Sequence, residues 1–156
     1  MTAEQLIQKL DLKHHPEGGY YRETYRAEGS VPGTKRAFST AIYYLLVPGA
    51  VSKLHRLSSD EVFHFYLGEP VQWLLLHPGG KVEKIVLGPL LEQGQQVQMT
   101  VPAGTCFGGS LMSGNGFALM GTTVAPGFEF EDFTMGKREE LLASFPGAKE
   151  EILRLT

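Results

Sequence analysis

Three things are scarce in this 156-residue chain, and each scarcity excludes a class of protein. The single cysteine, Cys106, rules out an internal disulfide framework and a zinc site built from several thiolates. Positive charge is not in excess, since 14 Lys and Arg face 17 Asp and Glu, and the net charge of −3 argues against nucleic-acid binding. No apolar run approaches the roughly 20 residues of a membrane span, and the first residues lack the order of a signal peptide. We therefore expect a cytoplasmic protein without nucleic-acid or membrane partners.

Glycine and proline are abundant, with 19 and 9 copies, and they divide the chain into short segments rich in aliphatic and aromatic residues. This punctuation is typical of an all-β sandwich or barrel. Amphipathic patterns predict a short helix near the start, with Thr2 and Gln5 in capping-box spacing, and two short helices at 138–145 and 148–153. No linker or repeat divides the sequence, so we expect one domain over residues 1–156.

Two further segments carry structural predictions. Residues 128–133 alternate Phe with acidic residues, which predicts a strand with one solvent-facing side. Residues 14–19, with the sequence His-His-Pro-Glu-Gly-Gly, are incompatible with a helix and predict a turn that leaves His14 and His15 exposed.

The stretch from Gly49 to Gly68 places His55, His64 and the pair Asp60-Glu61 in an apolar hairpin. Burying titratable groups there costs on the order of several kcal/mol each unless they are paired or bound to a ligand. The stretch therefore predicts a functional site. Because side chains alternate along a strand, Glu61 and His64 should lie on opposite faces. For His64, packing or an interface is as good an interpretation as ligand binding.

The same stretch resembles the first motif of the cupins, in which a Gly, two His, a Glu and a second Gly recur at fixed spacing. Gly49, His55, Glu61 and Gly68 stand at the required spacing, and Leu57 replaces the second His. The second cupin motif is partly kept. Residues 102–104, Pro-Ala-Gly, supply its turn, whereas Phe107 replaces its His.

Longer stretches at 15–23, 39–43, 59–68 and 124–130 resemble the small cupins of uncharacterised function called cupin superfamily type 5. The resemblance implies a cupin-type jelly-roll barrel, or double-stranded β-helix, commonly dimeric and related in architecture to sugar-nucleotide epimerases. It implies no single reaction. We expect a homodimer that binds a small-molecule ligand, since a strand with apolar residues on both faces, such as 38–47, also needs a cover on each side.

Whether a metal binds depends on the residues that replace the missing histidines. A typical cupin holds Fe, Mn, Ni or Zn with three His and one Glu, ligands that suit these ions. Here His55 and Glu61 remain, whereas Leu57 and Phe107 offer no donor atom. Three protein ligands are the usual minimum for a catalytic ion. We therefore expect no cofactor; if a divalent metal were bound, His55 and Glu61 would hold it.

Without a metal, the same residues predict acid–base chemistry. His55 is the expected general base, and Glu61 or Asp60 is the carboxylate that orients its ring. The related epimerases return a proton through a tyrosine, and Tyr44 is taken for that role, with Tyr21, Tyr43 and Tyr66 as open alternatives. Arg22 is expected to clamp a carboxylate or phosphate of the ligand. The expected ligand contacts are Tyr21, Arg22, Ser39, His64, Gln98 and Phe107.

Three functions fit these features. The first is a metal-free isomerase or epimerase acting on a sugar, nucleotide-sugar or similar carbonyl compound. The second is a metal-dependent cupin enzyme, such as an oxygenase, with a degenerate site. The third is a non-catalytic ligand-binding module. The fold alone favours none of them, because one fold hosts many functions. We prefer the first, since a His and a carboxylate on neighbouring strands suit proton transfer.

Overall fold

The computed structural model describes residues 1–156, and its eleven strands form two antiparallel sheets. The first sheet has the order β1-β2-β3-β10-β5-β8 and the second the order β11-β4-β9-β6-β7. The all-β prediction is confirmed. The strands are β1 (Lys13–His14), β2 (Tyr20–Arg26), β3 (Thr40–Leu46), β4 (Val51–Arg56), β5 (Asp60–Gly68), β6 (Val71–Leu76), β7 (Val82–Leu87), β8 (Gln98–Val101), β9 (Cys106–Leu111), β10 (Ala118–Ala125) and β11 (Thr134–Met135).

The main core lies between the two sheets and is built from the inward side chains of both. Its large aromatic members are Tyr44, Phe63, Trp73 and Phe107, each about 1% exposed or less. Strand β5 shows the alternation that produces this core, because Glu61 and Phe63 are buried while His64 on the other face is half-buried. The core occupies one part of the space between the sheets, and polar inward residues occupy the rest.

The predicted short helices are present, and they pack on the outer faces of the two sheets. Helix α1 (Ala3–Lys9) begins with the expected capping box of Thr2 and Gln5, and its Leu6 packs against Leu45 of β3. Helices α2 (Arg138–Ser144) and α3 (Lys149–Leu155) bury a second apolar cluster against the second sheet. None of the three helices is both long and apolar enough to cross a membrane.

The strand predicted for 128–133 is wrong. The segment joins no sheet and contains a single 3-10 turn, Phe130–Asp132. Its amides bond locally, Asp132 N–H to the Glu129 carbonyl and Phe133 N–H to the Phe130 carbonyl. Salt bridges from Arg26 to Glu129 and from Arg36 to Asp132 fix the segment in place of a strand ladder. The alternation of Phe and acidic residues therefore reflects a loop with apolar and charged sides.

Candidate functional site

A cavity of about 300 Å³ lies between the sheets, next to the main core. Its lining side chains come from β2, β3, β4, β5 and β10, from the loop that precedes β2, from the β4–β5 connection, and from segment 126–133. Aromatic rings form much of the wall, and carboxylates stand at both the floor and the mouth. The lining residues discussed below are His15, Glu17, Tyr21, Glu23, Arg26, Tyr44, His55, Leu57, Glu61, Phe128, Glu129, Phe130 and Phe133.

His55 lies at the floor of the cavity and is 2% exposed. Its Nδ1–H donates to the Lys53 carbonyl oxygen at 2.6 Å, and its Nε2 lies 2.8 Å from Glu17 Oε2. Phe107 packs on one side of the ring, with centroids 4.2 Å apart, and Phe133 stacks at 5.0 Å. Both ring nitrogens are therefore engaged by the protein, and the ring is held in one orientation.

The carboxylate that orients His55 is Glu17, and the prediction of Glu61 or Asp60 is wrong. Ser52 Oγ donates to Glu17 Oε1 at 3.0 Å, and the backbone N–H of Lys53 donates to the Glu17 carbonyl at 2.8 Å. Asp60 is exposed instead, and its Oδ1 accepts the backbone N–H of Ala103 at 2.8 Å. It begins strand β5 on the face opposite Glu61, so its carboxylate fixes a turn outside the cavity.

Glu17 reaches this position because two glycines follow it. Gly18 has φ +112°, and a Cβ built there would lie 2.0 Å from the Val51 carbonyl oxygen. Gly19 has φ +74°, and its Cβ would lie 2.7 Å from the Leu45 carbonyl oxygen. Only glycine fits both the conformation and the space. In the sequence, the Gly-Gly pair is the only sign of this close approach. A turn sequence by itself predicts that Glu17 is exposed, and its partner His55 on β4 is far away in the chain.

His15 was predicted to be exposed, and this is wrong. Its side chain is 7% exposed and packs edge-on against Tyr21 with centroids 4.7 Å apart. The Glu17 backbone N–H donates to His15 Nδ1 at 3.2 Å, which requires an unprotonated nitrogen. Burial lowers the pKa of His15 despite the carboxylate of Glu17. We therefore treat the 3.8 Å approach of His15 Nδ1 to Glu17 Oε2 as a contact of a neutral ring.

Glu17 and His55 form an ion pair. Burial by itself raises the pKa of Glu17, but the charge of His55 and hydrogen bonds from His55 and Ser52 outweigh it, so the pKa falls below its usual range. Burial likewise lowers the pKa of His55, and the charge and hydrogen bond of Glu17 more than reverse this, so the pKa rises. The two opposite shifts have one origin, the short contact between the groups.

Glu61 lines the same cavity but differs from Glu17 in its protonation. The residue is 7% exposed, and its Oε2 is buried without a hydrogen-bond partner. Burial, followed by the negative charge of Glu17, raises the pKa of Glu61 to about 7, while His55 and the Thr122 hydroxyl act in the opposite direction. A carboxyl group with this pKa exchanges a proton readily near neutral pH.

Tyr44 and Tyr21 also line the cavity. The Tyr44 hydroxyl donates to the Gly18 carbonyl at 2.9 Å, so it holds the loop that carries Glu17. Burial and the charge of Glu17 raise the pKa of Tyr44 well above its usual value. Tyr21 presents its ring beside His15.

Five residues expected to contact a ligand do not line the cavity. Arg22 lies on the opposite face of β2 from Tyr21, with its guanidinium 5.6 Å from the centre of the Tyr43 ring. His64 bonds Thr123 at 3.1 Å and Gln98 at 3.0 Å on the outer face of the first sheet. Strand alternation explains these placements. The others are Ser39, which donates to the Val124 carbonyl at 3.1 Å, Gln98, which is exposed, and Phe107, which packs in the core behind His55.

The donor set does not fit the metal centre of a typical cupin. Leu57 lines the cavity and Phe107 lies in the core at the positions of the two missing histidines. No three His, Cys, Asp or Glu side chains are arranged to hold one ion. His55, the one histidine of the cupin motifs that this chain keeps, already uses both ring nitrogens. Three ligands are the usual minimum for a catalytic ion, so these residues would bind a divalent metal weakly.

An antiparallel double-sheet fold with a polar, aromatic-walled cavity beside its core defines the class: a small-molecule-binding cupin fold. The chain belongs to the family described as Cupin superfamily (DUF985), whose model matches residues 4–136. The predicted family and jelly-roll fold are thereby confirmed.

Similar proteins extend over nearly the whole chain. Uncharacterized protein YML079W of Saccharomyces cerevisiae is 32% identical over 167 residues, covering 96% of this chain and 82% of the yeast protein. The crystal structure of protein SO0799 from Shewanella oneidensis has a TM-score of 0.93 and 37% identity, covering 100% of this chain and 98% of that one. Oxalate decarboxylase from Bacillus subtilis has a TM-score of 0.60 and 18% identity, covering 94% of this chain and 37% of the enzyme, which shows a shared fold alone.

Proposed function

We propose that this protein is a metal-independent enzyme of the isomerase or epimerase kind that acts on a sugar or a similar carbonyl compound. One observation carries the proposal: Glu61, a carboxyl group with a pKa of about 7 and an unpartnered oxygen, lines a ligand-sized cavity beside the Glu17–His55 ion pair. Perturbed titratable groups in a cavity are typical of acid–base sites.

Within this proposal, Glu61 rather than His55 transfers the proton. A general base needs a lone pair within reach of the substrate. His55 has none free, because Nδ1–H bonds the backbone and Nε2 bonds Glu17. The free oxygen of Glu61 fills the role that the sequence suggested for His55, and the His55 imidazolium, paired with Glu17, fixes the cavity floor.

The proposed step moves a proton at the carbon next to a carbonyl. Glu61 takes the proton, the electrons of the C–H bond form the double bond of an enediolate, and negative charge develops on the carbonyl oxygen. Tyr21 is the better hydroxyl to donate to it, since the Tyr44 hydroxyl is committed to Gly18. Glu61 then returns the proton to the carbon that bore the carbonyl, while the proton of the adjacent hydroxyl passes to the former carbonyl oxygen, and no redox partner is needed.

Exchange of carbon-bound hydrogen tests this step directly. Purified protein is incubated in D₂O with a panel of neutral aldoses and ketoses, and loss of the proton next to the carbonyl is followed by NMR. We expect exchange with at least one compound and a loss of at least about 100-fold in Glu61→Gln. Asp60→Asn is the matched control, because it changes the neighbouring carboxylate outside the cavity and should retain exchange.

Two results would contradict the proposal. Exchange that survives in Glu61→Gln would remove Glu61 from the chemistry. Absence of exchange with every compound, together with measurable binding, would favour the non-catalytic ligand-binding module, for which the aromatic wall of the cavity is sufficient.

A further inference from the structure

We infer that the cavity selects ring-bearing ligands without negative charge, either neutral or amine-bearing, and rejects phosphorylated and nucleotide-linked sugars. This inference deepens the proposed function, on which it rests for the identity of the binding site. It is carried by the partners of the one arginine at the mouth, by the charges around the cavity, and by the aromatic wall.

The single arginine that lines the cavity is not free to bind an anion. Arg26 Nε and Nη2 donate to the two Glu23 carboxylate oxygens, each at 2.9 Å, and Nη1 donates to Glu129 Oε1 at 2.7 Å. Nη2 also donates to the Phe128 carbonyl at 3.2 Å. A guanidinium has five N–H donors, so four of them are already used. A phosphate or carboxylate would have to displace Glu23 or Glu129 to form a bidentate pair.

The remaining charges also oppose an anion. With Glu61 protonated, the lining still holds three carboxylates against two cations, a net charge of about −1. These groups are Glu17, Glu23 and Glu129 on one side and Arg26 and His55 on the other. The second cation, His55, does not attract a ligand anion, because it is 2% exposed and its charge is paired with Glu17. Ionisation of Glu61 adds one more negative charge.

Glu61 shows that the carboxylates belong to a ligand site. It is 7% exposed and its Oε2 lacks a hydrogen-bond partner, a costly state that a ligand hydroxyl or amine would relieve. Either donor is found on a neutral or cationic ligand, whereas the oxygens of a carboxylate or a phosphate dianion can only accept hydrogen bonds.

The aromatic wall supplies the other half of the recognition. His15, Tyr21, Phe128, Phe130 and Phe133 line the cavity, and Phe128 and Phe130 pack edge-to-face with centroids 5.0 Å apart. Aromatic faces bind apolar ring surfaces, and they attract cations through the ring quadrupole. A ring that carries a hydroxyl or an ammonium therefore matches both the wall and the carboxylates.

A series of small ring compounds with different charges tests the inference. Benzylamine, benzyl alcohol and benzoate share one ring and carry a positive, zero and negative charge at pH 7. We expect ligand-detected NMR titrations to show that benzylamine and benzyl alcohol bind, and that benzoate binds at least about tenfold more weakly. Benzoate affinity equal to that of benzyl alcohol, or no binding of any probe up to about 10 mM, would overturn the inference.

A charge change at the cavity mouth gives a second, independent test of the inference. Glu129→Gln removes a carboxylate and frees Nη1 of Arg26, so benzoate should gain about fivefold in affinity while benzylamine loses affinity. Glu131→Gln is the matched control, since Glu131 lies two residues away and does not line the cavity. Equal behaviour of the two variants would contradict the inference. The binding titrations need no turnover, so their result is separate from that of the D₂O exchange experiment.

Discussion

At the scale of single residues, the Glu17–His55 pair is a buried ion pair whose polar atoms all have partners. Removing two charges from water is costly, and such a pair is tolerated only when its geometry is good and the remaining donors and acceptors are satisfied. Glu17 accepts from Ser52 and His55, and the second ring nitrogen of His55 donates to Lys53. The pair therefore fixes the cavity floor, and its contribution to stability depends on both members being present.

Glu17→Gln tests this dependence. Removing one partner of a buried pair leaves the other charge uncompensated, so we expect a loss of about 3 kcal/mol in the free energy of unfolding at pH 6. The pKa of His55 should fall, because burial then acts without the carboxylate. Urea denaturation measures the first quantity, and NMR titration of the imidazole measures the second.

The protein contains its own control for this prediction. His77 Nε2 lies 2.8 Å from Glu83 Oε2, the same separation as in the buried pair, but the Glu83 side chain is 36% exposed. Glu83→Gln should therefore cost less than about 1 kcal/mol. If both variants lost the same stability, burial would not be the source of the effect at Glu17.

At the scale of elements, the loop that carries Glu17 depends on a close approach of Gly18 to strand β4. Gly18→Ala combines a positive φ with a clash against the Val51 carbonyl, so we expect a loss of about 3 kcal/mol or more. Gly33→Ala is the matched control, since Gly33 has φ +80° and open space around its Cβ position. It should cost about 1 kcal/mol from the backbone conformation alone. Urea midpoints measure both, and similar losses would show that the close approach is unimportant.

Segment 126–133 is the second element that shapes the cavity, and Arg26 holds it through Glu129 and Phe128. In Arg26→Gln we expect hydrogen exchange at the Asp132 and Phe133 amides to accelerate about fivefold, since these bonds lie in the segment released. Global stability should change by less than about 1 kcal/mol, because the ion pair is 39–40% exposed. Arg22→Gln, on the opposite face of the same strand, is the control. Unchanged exchange in Arg26→Gln would show that the aromatic packing alone holds the segment.

The elements that the sequence predicted correctly are those with a local signal. The capping box at Thr2, the alternation on β5 and the amphipathic C-terminal helices all depend on neighbouring residues, and each is found in the structure. The failures depend on distant partners. Glu17 and His55 come from separate parts of the chain, and the carboxylates of 128–133 pair with arginines near residues 26 and 36. A single sequence does not contain those pairings.

At the scale of the whole molecule, the predicted family and fold are confirmed, whereas the use of the site stays a prediction. Gly49, His55, Glu61 and Gly68 match the family pattern, and they lie before, within and at the end of the hairpin of β4 and β5. The role of each group depends on its environment. Only the structure reveals that Glu17 bonds His55 and that Glu61 Oε2 has no hydrogen-bond partner. The homodimer predicted from the resemblance also stays a prediction, which sedimentation velocity can test.

The three buried groups predict how the stability of the molecule changes with pH. Glu61 keeps its proton up to about pH 7 when folded and up to about 4.5 when unfolded, so its contribution to stability declines as pH rises between these values. His55 has a raised pKa, and its contribution is complete below about pH 6.5 and is lost as pH rises. Glu17 has a lowered pKa, and its contribution is lost as pH falls below about 4.5. Because the Glu61 contribution declines above about pH 4.5 and the Glu17 contribution is lost below it, we expect maximal stability near about pH 4.5.

Glu61→Gln isolates the Glu61 contribution to the pH dependence of stability, because the amide keeps the shape of the side chain and cannot ionise. Above pH 7 the variant should be more stable than the wild type by roughly 2 to 3 kcal/mol, and the difference should shrink toward zero near pH 4. Urea denaturation at one-unit intervals from pH 4 to pH 8, at constant ionic strength, measures both curves. Parallel curves would mean that Glu61 titrates alike in the folded and unfolded chain. A carboxyl group with that behaviour would be ionised at neutral pH and poorly suited to carry a proton to and from a substrate.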